Sequence, residues 1–262
     1  MALNILAIFR RRPLLTAAAL IGVLAASIPA YRDYQLYLSY GPGGIPHNAF
    51  GWFVARCLLT PFTQEMLGTD VYQQKINHGA TTSYIVPNGK LPRRSGTNPT
   101  MAPHVVPQRQ ITQFPDDEMK RQLTKVFNTF AINNSNLVKL APSRLERHTD
   151  AIWLTDDGLS STSVPEAAQM QGEICHIHGS NDHSVHVVLS PADAKAAIDA
   201  GWGQRHGFSG WKPAAKVTRG AVDLPAEYLF IYAPRNQEDL EVVMRLVKAS
   251  VRFMTGGAEV KS

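Results

Sequence analysis

Two short runs, residues 173–178 and 184–189, flank Gly179-Ser180-Asn181-Asp182, a cluster of turn formers. Strand-forming runs on either side of such a cluster predict a β-hairpin. Immediately after it, Ser190-Pro191-Ala192-Asp193 is a capping box with proline at the first helical position, and the helix it starts should stop at Gly201. Residues 227–232 read as another strand. Asn236 caps a last helix with Glu238 and Asp239 in its first turn, inward-facing Leu240, Val243, Met244, Val247 and Val251, and a stop at Gly256. Hairpin, helix, strand, helix predicts an α+β fold, a mainly antiparallel sheet with packed helices.

The rest of the body, residues 32–262, is less explicit. Residues 48–59 carry Phe50, Phe53, Val54, Cys57 and Leu58 at helical spacing, stopped by Pro61. Residues 116–130 form a second amphipathic pattern, with Asp116, Asp117 and Glu118 at its positive end and Met119, Leu123, Phe127 and Phe130 as its stripe. Residues 88–107, rich in Pro, Gly and basic side chains, read as a long loop. Residues 151–154 read as a short strand and 156–165 as a polar turn region. The two cysteines, Cys57 and Cys175, form no CxxC pair and read as two buried thiols.

Residues 13–30 contain no charge, and eighteen helical residues span about 27 Å, enough for a thin bilayer such as the endoplasmic reticulum. Arg10, Arg11 and Arg12 precede the run; Arg32 and Asp33 follow it. Ala25-Ala26-Ser27 would suit a cleaved signal peptide, but apolar Ile5, Leu6, Ile8 and Phe9 ahead of the arginines favour a retained anchor. The expectation is one N-terminal transmembrane helix, residues 1–31, in a single-pass protein with its arginine cluster cytosolic and its body across the membrane. One sequon, Asn133-Asn134-Ser135, is compatible with that orientation. The five charged residues just named contribute +3 of the net +5, leaving the body about +2, too little to argue nucleic-acid binding.

In a strand, residues two apart share a face, so His176 and His178 point the same way and His186 joins them across the hairpin if the register allows. With Asp182 in the turn, these groups have two readings. They could hold a divalent metal, as imidazole-carboxylate sets do in oxygen chemistry. Without metal, they could serve as a general base that ionises a phenol or enol. Further on, Trp202-Gly203-Gln204-Arg205-His206 follows a helix end, where Arg205 could grip a planar anion, the plain alternative being a packed exit loop. Tyr232 and Arg235 sit at a strand end, where ligand sites often open. His104 and Arg109 are weaker candidates; His47, His78, His148 and His183 read as structural or solvated. No GxGxxG follows a strand, and there is no GxSxG elbow or P-loop.

These motifs together resemble the fungal luciferase family. The resemblance runs in order through Asp33-Tyr34-Gln35, PHVVPQRQITQ at 103–113, HxH-x3-D-x3-H at 176–186, GWGQRH at 201–206, YAPRN at 232–236 and FMT at 253–255. It implies a membrane-associated enzyme that uses O2 to oxidise a hydroxypyrone of the 3-hydroxyhispidin type, through an endoperoxide that loses carbon dioxide with light. No cofactor beyond O2 is implied, and a divalent metal remains an open reading. His176, His178, His186 and Asp182 would be catalytic; Trp202, Gln204, Arg205, His206, Tyr232 and Arg235 would bind the phenolic, pyrone or polyketide substrate. Asn181 stands where the luminous pattern carries another histidine, and the stretches at 41–44 and 160–171 differ. A non-catalytic, membrane-tethered small-molecule-binding relative is therefore the alternative.

Overall fold

The computed structural model describes residues 13–217, 220 and 222–261. The chain divides into two compact units, Met1–Ser39 and Tyr40–Ser262. In the first, α1 (Pro13–Ser39) takes up the uncharged run and continues through Arg32 and Asp33. Six alanines among residues 13–30 favour helix but add little apolar surface per residue. No helix among the described residues is long and apolar enough to cross a membrane, so the fold by itself does not support the transmembrane helix expected over 13–30. The arginine cluster at 10–12, on which the expected orientation depended, lies outside the described residues.

The second unit is built on an antiparallel six-stranded sheet. Its strands are β1 (Val138–Pro142), β2 (Asp150–Leu154), β3 (Glu173–Ile177), β4 (Val185–Val188), β5 (Gly203–Arg205) and β6 (Tyr228–Ile231), in the order β1-β2-β3-β4-β6-β5. The hairpin forms in the expected place, with His176 directly opposite His186 and Ile177 opposite Val185. Alternation then sorts the side chains. Cys175, Ile177, Val185 and Val187 share one face, which joins the main apolar core. Against that side of β3 and β4 packs the final helix, Gln237–Met254, capped by the Asn236 side chain. Its Ser250 Oγ accepts from the Val188 N–H and donates to the Val188 carbonyl, tying helix to strand. The helix Asp117–Asn133, capped by Asp116, packs on β1 through buried Met119, Leu123, Phe127 and Phe130. The helix Pro191–Asp199 starts at its Ser190 cap as expected, and Gly201, at φ +79°, follows its end.

Several local expectations change. Residues 202–206 are not a plain exit loop: Gly203–Arg205 forms the edge strand β5, because Gly203 lets the backbone press against the Phe230 carbonyl of β6 where a Cβ would collide. Residues 156–165 are not all turn. Asp156–Ser161 is a short helix capped by the Thr155 side chain, and Pro165 opens another, Pro165–Gln169. The stripe at 48–59 folds as a helix, Ala49–Phe53, then a π-helical segment, Val54–Leu59, and Pro61 falls inside a 3-10 turn rather than ending the path. That stripe is not core: Phe50, Phe53 and Leu58 are exposed, and so is Cys57, leaving Cys175 as the one buried thiol of the two.

Candidate active site

The opposite face of the hairpin carries the histidines. His176, His178 and His186 are buried, and their ring centroids lie 4.8–5.4 Å apart. Each places one ring nitrogen within 4.8 Å of the others, and no other group of three potential metal-ligating residues gathers this way among the described residues.

The other ring nitrogen is occupied in every case. His186 Nδ1 lies 3.0 Å from the Leu229 carbonyl, which can only accept, so Nδ1 carries the proton. His176 Nδ1 lies 2.8 Å from the Glu173 carboxylate. Burial works to raise the Glu173 pKa, but hydrogen bonds from His176, Ser143 and the Arg144 N–H outweigh it and bring the carboxyl below its ordinary value. His178 Nδ1 lies 2.8 Å from Ser184 Oγ, which itself donates to Asp182 Oδ1 at 2.8 Å. All three rings are therefore held as Nδ1–H tautomers with Nε2 as the inward lone pair.

This geometry moves Asp182. It is fully buried and accepts from Ser184 and from the Gln110 N–H, so it stands behind His178 and outside the three-histidine group. Burial raises its pKa, opposed by Arg109 and these hydrogen bonds. Glu173 plays the matching part behind His176, which sequence periodicity hides: three residues apart, the two should face opposite ways. A register shift between Ile152 and Trp153 pairs Trp153 with Glu173 while Ile152 still pairs with Cys175, and this bulge re-aims the carboxylate.

The histidines floor a cavity of about 540 Å³. Its walls are apolar, from Leu58, Leu59, Phe62, Val106, Phe208, Trp211 and Leu224, and Tyr228 stacks on His186 at 4.5 Å between ring centroids. Two charged groups join the polar end. Arg109, 1% exposed, pairs with Glu146 at 2.5 Å, and Glu146 Oε2 lies 3.9 Å from His178 Nε2. Burial pushes Glu146 up and Arg109 opposes it. Burial, with Arg109 adding to it, holds His178 well below its ordinary pKa; burial and the neighbouring histidines do the same to His186.

His206 is the one residue of the 201–206 and 232–236 motifs that lines the cavity. Its Nδ1 accepts from the Phe208 N–H, so its proton sits on Nε2, and burial lowers its pKa to about 4. Trp202, Gln204, Arg205, Tyr232 and Arg235 do not line the cavity, for separate reasons. Arg205 alternates to the other face of the sheet and donates to the Ser209 carbonyl at 2.6 Å. Trp202 donates to the Pro92 carbonyl. Gln204 and Tyr232 bond each other at 3.1 Å, with Phe230 between them and the histidines. Arg235 forms an ion pair with Asp239 at 2.6 Å. Glu146, Glu173 and Tyr228 are the site groups that spacing did not single out, and Arg109 is more central than its loop position suggested. The one signal for Arg109 was its place in the PHVVPQRQITQ motif.

Comparison with known proteins identifies the family. A family model described as Luciferase domain matches residues 171–250, the segment holding the hairpin, β5, β6 and most of the last helix. A luciferase of Armillaria ostoyae is 34% identical over 255 residues, covering 94% of this chain and 90% of that one. A luciferase of Neonothopanus nambi is 33% identical over 245 residues, covering 89% and 86%. No solved structure matches. This chain belongs to the fungal luciferase family.

Proposed function

We propose that this protein is a membrane-anchored, oxygen-dependent enzyme acting on a hydroxypyrone of the 3-hydroxyhispidin type or a related phenolic or polyketide. The observation that carries the reading is the cavity itself: about 540 Å³, apolar along its walls, with three histidines, Arg109 and Glu146 gathered at one end. Pockets of this size and character suit planar, drug-sized ligands. An acidic enol or phenol would enter with its ring system along Phe62, Phe208 and Trp211 and its oxygens toward the histidines. The buried Arg109 guanidinium favours the ionised form, and the surrounding apolar wall strengthens that attraction. The electron-rich enolate is then the species O2 attacks, at the buried, histidine-lined end of the cavity. The reaction needs no flavin, nicotinamide or ATP, and oxygen uptake, with or without light, is its readout.

The test is an oxygen electrode and a luminometer with purified full-length protein and 3-hydroxyhispidin. Oxygen uptake is expected. Binding of that compound and its analogues without any uptake would favour the non-catalytic binding protein. That alternative rested on Asn181, which lies in the turn between β3 and β4 and is not among the cavity-lining residues.

The anchor belongs to the same proposal. Eighteen uncharged residues at 13–30 support it, with Leu14, Ile21, Leu24 and Ile28 exposed along α1. An endoplasmic-reticulum-type membrane would hold this segment. Protein lacking residues 1–31 should leave the membrane fraction; if it still pellets after alkaline carbonate washing, the anchor is wrong.

A further inference from the structure

Three ring nitrogens converge at the floor of the cavity, each with its lone pair turned inward. Each Nδ1 is committed: to Glu173, to Ser184 backed by Asp182, and to the Leu229 carbonyl. None of the three can turn its N–H inward without abandoning a buried partner. The inward ring nitrogens therefore lie within 4.8 Å of one another, each offering a lone pair. Neutral acceptors crowded together repel, and they would also repel the oxygens of an anionic substrate. One cation placed between them removes the conflict.

We propose that His176, His178 and His186 bind one divalent first-row transition-metal ion through Nε2, with Glu146 Oε2 as a fourth ligand. The donor set fits such an ion. Imidazole suits zinc, iron, copper and nickel, and one carboxylate extends the range toward manganese. Metal–nitrogen bonds of about 2.0–2.1 Å place neighbouring ligand nitrogens roughly 3–3.5 Å apart, so the rings need to close by about an ångström or so around the ion. Glu146 Oε2, 3.9 Å from His178 Nε2, lies within the same reach. Behind the ligands stands a full set of orienting groups: Glu173 on His176, Ser184 and Asp182 on His178, and a backbone carbonyl on His186. Imidazole ligands held by carboxylates and carbonyls in this way are a recurring feature of built metal sites. His206 is excluded as a ligand, because its Nδ1 is taken by the Phe208 N–H and its other ring nitrogen carries a proton bonded to the Val105 backbone.

The remaining coordination positions open on the cavity. A substrate bearing two adjacent oxygens, such as a hydroxypyrone, could chelate there; this part of the inference rests on the proposed function, whereas metal binding does not.

The experiment uses full-length protein in detergent, stripped with a chelator and dialysed against Co2+. The expected result is one cobalt per chain, a visible d–d band, and a higher melting midpoint than the stripped protein. His186→Gln should lose the bound cobalt and the band while melting like stripped wild type. Glu146→Gln, which leaves all three imidazoles in place, should bind cobalt more weakly and shift the band. Sub-stoichiometric cobalt with no change in melting overturns the proposal, and so does stoichiometric cobalt that both variants retain with an unaltered spectrum. Oxygen uptake separates the two readings. Cobalt bound at the site in a protein that never consumes oxygen would leave the metal site standing and remove the enzymatic reading. Full oxygen uptake by protein stripped of metal would keep the enzymatic reading and remove substrate chelation at the metal.

Discussion

The two faces of the β3–β4 hairpin are made from alternate residues of the same few strands, yet they do opposite things. On one face Cys175, Ile177, Val185 and Val187 are closed over by the last helix. On the other, His176, His178 and His186 look into an open cavity, and every ring is fixed by a partner behind it. The first face is held by area and tolerates any apolar group of suitable volume. The second is held by specific hydrogen bonds, and its worth lies in which nitrogen is left over. Residues adjacent in sequence should therefore fail in different ways.

The sharpest contrast is between His178 and its neighbour Ile177. His178→Ala should cut oxygen turnover by roughly 10²–10⁴-fold, the range of a lost acid–base or ligand group, while lowering the melting midpoint less than the next variant does. Wild-type turnover in that protein would reduce the histidine face to a structural feature. Ile177→Ala, one residue away, should cost about 2–5 kcal/mol of stability in a denaturant titration and leave turnover per folded molecule unchanged. A loss of turnover at full stability would show that the two faces are not independent.

Glu173→Gln probes the layer behind the histidines. It keeps the shape but removes the carboxylate that holds His176, and metal affinity should fall by roughly 10–100-fold, read by competition with a chelator. An unchanged affinity would mean that the bulge-aimed carboxylate only fills space. The smallest effect is expected at Arg205→Lys. Its guanidinium donates to the Ser209 carbonyl on the side of the sheet away from the cavity. A stability loss of about 0.5–1.5 kcal/mol with kcat/KM unchanged is the expected outcome. A large drop in kcat/KM would restore Arg205 to the substrate and break the division between the faces.

Much of this was legible in the chain. Period-two spacing put His176 and His178 on one face, and the turn at 179–182 set the hairpin that places His186 opposite His176. Caps at Ser190 and Asn236 marked the two helices that follow, because a side-chain oxygen accepting an N–H of the first turn is local chemistry. The motif at 201–206 was harder. Its resemblance suggested one binding unit, but strand alternation splits it, sending His206 to the cavity and Arg205 away. With no strand assigned after the helix end, the alternation that separates them was not visible.

What the sequence determined by itself is what depends on neighbours in the chain: the hairpin, the capped helices, the shared face of the histidines and the uncharged run at 13–30. What only the tertiary structure decided is which groups complete the site. Arg109 and Glu146 arrive from loops 37 residues apart in the chain and meet as a buried ion pair. Glu173 reaches His176 only because a bulge against β2 breaks the strand's period, and the Leu229 carbonyl fixes His186 from 43 residues further along. A proton on a ring nitrogen is assigned by whatever acceptor lies within hydrogen-bond reach, and in this protein two of the three acceptors become available only through the pairing of the sheet.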